Sequence, residues 1–194
     1  TDYNKYKGLC EPQLLAHQSD DFTTVVIRPS TVCGYSPRMR LDLTVNILTN
    51  HAVNNGVITV FGGNQKRPNI HIEDMVDLYI DLIGRPSEEI GGQVFNAGYE
   101  NFRVREIAGM VRTTVEQEMP NRTPIKIVTT PSDDKRSYHV CSRRIRESLG
   151  WVPRRTIENA VHDLCSAFRE GKIPNSFDND LYFNVRAVKG LGLE

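Results

Sequence analysis

The sequence predicts an α/β protein, and three observations carry that prediction. Short β-branched runs closed by Pro or Gly, such as "TTVVIRPS" and "VITVFGGN", have the composition of buried strands. Between them lie stretches whose apolar residues recur at three- and four-residue steps, the period of an amphipathic helix. The two kinds of segment alternate along the chain, which suits strands of a parallel sheet joined by helices.

Taken in order, residues 3–18 predict a first helix, with Tyr6, Leu9, Cys10, Leu14 and Leu15 on one side despite Pro12. "SDD" ends it, and "TTVVIRPS" is the first strand, feeding a loop. A helix follows from about Leu41 to Val53, stopped by Asn-Asn-Gly, then the strand "VITVFGGN" and a short strand "NIHI". "EDMVDLYIDLI" carries acids in its first turn, where the helix dipole favours them, and sets Met75, Leu78, Tyr79 and Leu82 on one face. After the turn-rich "GRPSEEIGG" come the strand "QVFNAG", a helix from about Val104 to Val115 and the strand "IKIVT". Ser142 is a cap for a helix that Gly150 ends, and Thr156 caps another running to about Arg169. The last twenty or so residues have no clear period. About five strands are foreseen, and none carries a glycine-rich phosphate turn.

Composition narrows the function. A formal charge of zero over 194 residues provides no field for nucleic acid or anionic lipid. The Arg-rich "SRRIRESLGWVPRR" accordingly reads as a solvated helix face. Four widely spaced cysteines, with no CxxC pair, suggest reduced thiols in a cytoplasmic protein, without disulfides or structural zinc. No stretch reaches the roughly 20 apolar residues a membrane helix needs, so neither a membrane nor nucleic acid is an expected partner.

Tyr3 and Lys7 are four apart on the first helix, so they share a face. A nearby ammonium favours phenolate over phenol and so makes tyrosine a usable acid or base. The spacing alone is a weak signal. Its company along the chain strengthens it, because Tyr3-Asn4-Lys5-Tyr6-Lys7, "VVIRPSTVCGYSPRMR" and "ITVFGGNQKRPNIHIEDMVDLYI" resemble, in order, three motifs of the extended short-chain dehydrogenase/reductases. That group includes the NAD-dependent nucleotide-sugar epimerases and dehydratases. "VFNAGYENFRVREIAGMV" and "KRSYHVCSRRIRESLGWVPRRTIENAVHDL" are similar to its later segments, so the likeness runs from about Tyr3 to Phe168.

The resemblance implies the C-terminal part of a Rossmann-type parallel sheet plus a small α/β substrate-binding domain. Residues 1–35 and 70–100 would be the remnant of the dinucleotide-binding domain, and 36–69 and 101–194 the substrate-binding domain. It also implies that the sequence starts inside a family member, at its catalytic helix, with the phosphate-cradling GxxGxxG turn lying upstream. By the same resemblance Tyr3 moves a proton on a sugar hydroxyl while hydride passes to NAD, and Lys7 also holds the nicotinamide ribose. Pro29, Ser30 and Val32 would run along the nicotinamide, and Thr31 would touch the sugar where many relatives have Asn. Asn46, Arg67 and Arg136 would hold the diphosphate, for which a guanidinium fork is well matched. Val60 and Phe61 would lie near the nucleobase or serve as strand core.

Cys33, where relatives have an aromatic, reads as a packed thiol. His71 reads as a structural imidazole, with Asp74 capping or orienting the next helix. The implied ligand is a nucleotide-diphosphate sugar, and a homodimer of the full-length parent is possible. A decarboxylase or simple alcohol reductase would use the same Tyr-Lys pair. The reading from another class is a non-catalytic binding or assembly module that keeps the fold.

Overall fold

The computed structural model describes residues 2–133, 136–190 and 192, with side chains from residue 5 onward. Helix α1 spans Asp2–Leu15, and Pro12 does not break it: the Ala16 N–H still reaches the Pro12 carbonyl at 3.0 Å. The helix stops at Leu15, short of Gln18, because Gln18 is needed elsewhere. Its Oε1 accepts the Thr24 N–H at 2.7 Å and the Gly92 N–H at 3.0 Å, clamping the starts of two neighbouring strands. Arg28 pins α1 to the first strand through Glu11, with Nε 2.9 Å from Oε1. That charge-assisted bond holds the Glu11 carboxyl below the usual carboxylate range.

Strand β1 (Val25–Pro29) pairs in parallel with β5 (Gln93–Ala97), Val25 opposite Gln93 and Pro29 opposite Ala97. Between them in sequence come β2 (Thr31–Cys33), α2 (Thr44–Asn55), β3 (Val57–Phe61), β4 (Lys66–His71), α3 (Ile72–Ile83) and the single turn α4 (Ser87–Ile90). After β5 follow β6 (Glu100–Arg103), α5 (Val104–Glu118), β7 (Lys126–Thr130), α6 (Arg143–Leu149), α7 (Ile157–Arg169) and α8 (Asn184–Gly190). β4 is central to a second sheet, parallel to β2 and antiparallel to β6, and β3 pairs in parallel with β7.

The α/β class holds, with seven strands among the described residues rather than about five. β2 and β6 escape the sequence because each is three or four residues long and owes its hydrogen bonds to β4. α2 begins three residues later than its pattern, since the Leu41 N–H is drawn to the Tyr182 carbonyl at 2.9 Å and Leu41 joins another cluster. α8 buries none of its side chains, so it has no apolar period to read.

Three apolar clusters hold these elements. One joins β1, β5, α3 and α6 around Phe95, Leu78 and Ile145. A second gathers α2, β3, α5 and α7 around Ile58, Ile107 and Val161. The third packs Met39 and Leu41 of the β2–α2 loop against Leu164, Ile173, Tyr182 and Phe183.

Two polar side chains lock the clusters together. Asp74 does not cap α3. Its buried carboxylate accepts the backbone N–H of Arg154 and Arg155, at 3.2 and 2.9 Å, and the Arg155 guanidinium at 2.9 Å. The cap is His71, whose Nδ1 accepts the Glu73 N–H at 3.1 Å. This leaves the ring proton on Nε2, 3.1 Å from Asp163 of α7 in an electrostatic contact that is poorly aligned as a hydrogen bond. Ser142 stands at the N-cap of α6, but its hydroxyl donates to the Gly98 carbonyl instead. Thr156 caps α7 as expected, in a capping box with Asn159, and Gly150 ends α6 at φ 66°.

Burial of His71 disfavours its charged form and pushes its pKa down, against the pull of Asp163 and Asp74. An unfolded histidine takes up a proton near pH ~6.5, the folded one only at lower pH. The stabilisation is therefore complete above that pH and is lost as pH falls through the folded value. Melting temperatures measured from pH 8 to pH 5 should decline below about pH 6.5, and His71→Asn, which keeps a capping acceptor, should flatten the decline.

Candidate functional site

At the C-terminal end of β1 the chain leaves one sheet for another. Pro29 is the last residue paired with β5, the Ser30 N–H still bonds to the Ala97 carbonyl at 2.7 Å, and Thr31 already opens β2 beside β4. On the partner strand, Tyr99 turns to the Asn69 carbonyl at 2.8 Å and Glu100 opens β6. Both strands thus change sheets at one level, and ligand crevices in open α/β sheets form at such strand ends.

The divergence opens a cleft of about 480 Å³, lined by Lys7 from α1, Pro29, Ser30, Thr31 and Val32 from the crossing, and Asn46 from α2. Six residues singled out from the sequence, drawn from three separated stretches, therefore face one space. Tyr3 falls within α1, and its side chain lies outside the described residues. A larger groove of about 790 Å³ runs between α1 and α3, walled by Cys10, Leu14, Val25, Tyr79 and Ile83. It shares Lys7 but is mostly apolar, and the convergent polar groups belong to the smaller cleft.

Local chemistry shapes the cleft wall. Gly34 sits at φ 102°, where a side chain is strained, and its N–H donates to Asn46 Oδ1 at 3.0 Å. Asn46 Nδ2 donates in turn to the Arg40 carbonyl at 2.9 Å, so this buried amide spans the β2–α2 loop. Its first task is to hold that loop. Ser30 is buried against Gly98 so closely that a Cβ there would stand 2.2 Å from its hydroxyl oxygen. Cys33 is 2% exposed, donates its thiol to the Ile70 carbonyl, and has its pKa pushed up to about 12 by burial and by the Asp74 charge. It is a packed thiol with no thiolate character at neutral pH.

The predicted diphosphate arginines are linked side chain to backbone, with Arg67 on β4 two residues before Asn69, the partner of Thr31. Arg67 Nη1 donates to the Arg136 carbonyl at 2.6 Å and the Lys66 carbonyl at 3.0 Å, and its guanidinium lies 5.3 Å from the Tyr138 ring centre. Neither lines the 480 Å³ cleft. Val60 is 1% exposed and belongs to the core, whereas Phe61 at the end of β3 is 60% exposed. The two alternatives held for that pair thus divide between them: Val60 is strand core, and Phe61 is available to a ligand.

Sequence reasoning passed over Arg38 and Arg40, which line the same cleft. Two arginines in the five residues after Ser36 were a readable signal, but nothing in their spacing says which way a loop turns.

The NAD dependent epimerase/dehydratase family model matches residues 2–98, half of the chain. Solved structures with the same fold include the dTDP-glucose 4,6-dehydratase of Bacillus anthracis in complex with NAD, at TM-score 0.68 and 17% identity over 96% of this chain and 55% of that one. The ADP-L-glycero-D-manno-heptose-6-epimerase of Helicobacter pylori matches at TM-score 0.67 and 18% identity, over 84% of this chain and 50% of that one. The UDP-glucose 4-epimerase of Thermotoga maritima, solved with UDP-glucose, matches at 0.60 and 20%, over 78% and 48%. At such identities the likeness establishes a shared fold, and the chain spans about half the length of these structures.

Strands crossing between sheets beside a lysine-bearing helix thus define a Rossmann-like α/β protein with a cleft at its strand ends. The chain belongs to the NAD dependent epimerase/dehydratase family.

The tight Ser30–Gly98 contact gives a stability test of the crossing. Gly98→Ala should cost about 1–3 kcal/mol in urea denaturation, because the hydroxyl must rotate away from the new methyl. Adding Ser30→Ala should return much of that loss, since contacting residues couple.

Proposed function

We propose that this chain forms the catalytic helix and the sugar-nucleotide side of an NAD-dependent enzyme that epimerises or dehydrates a nucleotide-diphosphate sugar. The observation that carries the reading is the single cleft shared by Lys7, Pro29, Ser30, Thr31, Val32 and Asn46. In this reading residues 1–35 and 70–100 serve the dinucleotide and 36–69 and 101–194 the sugar nucleotide. The apolar clusters around Phe95 and around Ile107 follow that division in part, since α6 of the second portion packs with the first cluster through Ile145 and Leu149, and Cys33 of the first portion packs with the second.

The residues present suit a dinucleotide's nicotinamide end. Ser30 Oγ is buried at the cleft wall without a hydrogen-bond partner among the described residues, a cost that a polar ligand would remove. Lys7 and the Pro29–Val32 backbone are the groups that would hold the cofactor, which when bound supplies the hydride acceptor and donor. Tyr3 takes the proton from a sugar hydroxyl and returns it. Lys7, one turn along the same helix, favours the phenolate by its charge and so makes that transfer possible near neutral pH.

Thr31 meets the sugar, and Asn46 bears on the ligand chiefly through the loop it holds. Arg67 and Arg136, adjacent to each other, take the diphosphate, and exposed Phe61 offers a face to the base. A cytoplasmic place and pairing of the parent belong to the same proposal, on the strength of the family alone.

UDP, dTDP, ADP and GDP, each at millimolar concentration, test the reading by thermal shift. At least one is expected to raise the melting temperature of the 194-residue chain, since a ligand at 100 times its Kd stabilises by about 2.7 kcal/mol. Arg67→Ala should abolish the rise while unfolding with unchanged cooperativity. No shift in the parent chain with any of the four would overturn the proposal.

A further inference from the structure

The β2–α2 loop brings two guanidinium groups to the cleft that Lys7 and Asn46 line, and they are held differently. Arg40 is neutralised by Asp42, with Nε and Nη2 at 2.9 and 3.0 Å from its two oxygens. Arg38 instead donates to two uncharged acceptors, the Met39 carbonyl at 3.1 Å and Asn184 Oδ1 at 3.2 Å. No described carboxylate stands within 4.0 Å of it, and no acidic side chain is among the described residues lining the cleft. Neutral acceptors fix a guanidinium's direction without cancelling its charge, and Arg38 keeps Nε–H and further N–H donors for a planar anion.

Its holder comes from the far end of the chain. The Asn184 N–H donates to Asp42 Oδ2 at 3.0 Å, the Leu41 N–H reaches the Tyr182 carbonyl at 2.9 Å, and Tyr182 and Phe183 pack on Met39 and Leu41. The segment before α8 is thus a strap across the Arg38 loop. α8 buries no side chain, and its first residue, Asn184, bonds to this loop.

We infer that Arg38 reads a carboxylate on the sugar, that the substrate class is therefore a nucleotide-diphosphate uronic acid, and that Asn184 is the positioning residue that aims Arg38. This rests on the proposed nucleotide-sugar function. The sugar is taken as the source of the anion because neither arginine assigned to the diphosphate lines this cleft, whereas Lys7, assigned to the reacting end, does.

Isothermal titration of the folded chain tests it, using the nucleoside diphosphate that stabilises best, written here for UDP. UDP-glucuronate is expected to bind about tenfold or more tightly than UDP-glucose, the size of one charge-assisted hydrogen-bond pair. Arg38→Gln should bring the two sugars to equal affinity and leave UDP unchanged. Asn184→Ala should shrink the uronate advantage without weakening UDP. Asn184→Asp, which keeps an acceptor but neutralises Arg38, should erase the advantage altogether; a merely structural Asn184 would leave the ratio of the two sugars unmoved in both variants.

Equal binding of the two sugars by the parent chain overturns the inference and leaves the nucleotide-sugar reading standing. So does an Arg38→Gln variant that weakens all three ligands by one factor, which would assign Arg38 to the diphosphate. If neither sugar nor UDP binds, both readings fall together.

Discussion

The change of sheets at Pro29–Thr31 is the constraint on which the rest of this structure depends. A strand that ran on would keep its bonds to β5 and leave no opening. Here the Ser30 N–H makes the last bond to Ala97, and one residue later the chain is paired with β4. Proline fits the pivot because it lacks a donor and fixes φ. Glycine fits opposite because any side chain at 98 would meet the Ser30 hydroxyl. The cleft is the space this divergence leaves, and its polar lining comes from backbone that has left one ladder and entered another.

A diverging pair of strands needs its two sides held in register, and a few buried polar groups do this. Asp74 ties α3, beside the first sheet, to the turn that launches α7, beside the second. A buried carboxylate is tolerable only when fully paired, and the three donors it accepts meet that need. His71 adds a neighbouring contact from the same helix start to Asp163 of α7. Apolar contacts could hold these layers with some freedom to slide. Directed bonds to a buried charge fix one arrangement of α3 against the turn before α7.

Cationic groups near the cleft are graded by their partners. Arg28 is committed to Glu11 and holds α1 in place, Arg40 is committed to Asp42, and Arg38 is oriented by uncharged oxygens. The same side chain thus serves as a brace, a loop staple or a charge with no carboxylate partner among the described residues, according to what accepts its hydrogens. Distance along the chain does not govern this grading, since Asn184 comes from a segment 146 residues beyond Arg38.

By itself the sequence determined the α/β class, most helices and strands, the Thr156 and Gly150 helix ends and the family motifs, because these rest on local periodicity, local hydrogen bonding and residue order. It also named Lys7, Pro29, Ser30, Thr31, Val32 and Asn46, which the fold gathers around one cleft. Only the tertiary structure decided that β2 and β6 are strands, that His71 rather than Asp74 caps α3, that Val60 is core while Phe61 is exposed, and that Arg38 and Arg40 reach the cleft. Each of those outcomes depends on a partner distant in sequence, such as β4 for the short strands, Arg154 and Arg155 for Asp74, or Asn184 for Arg38. Residue spacing carries no record of which distant group will arrive.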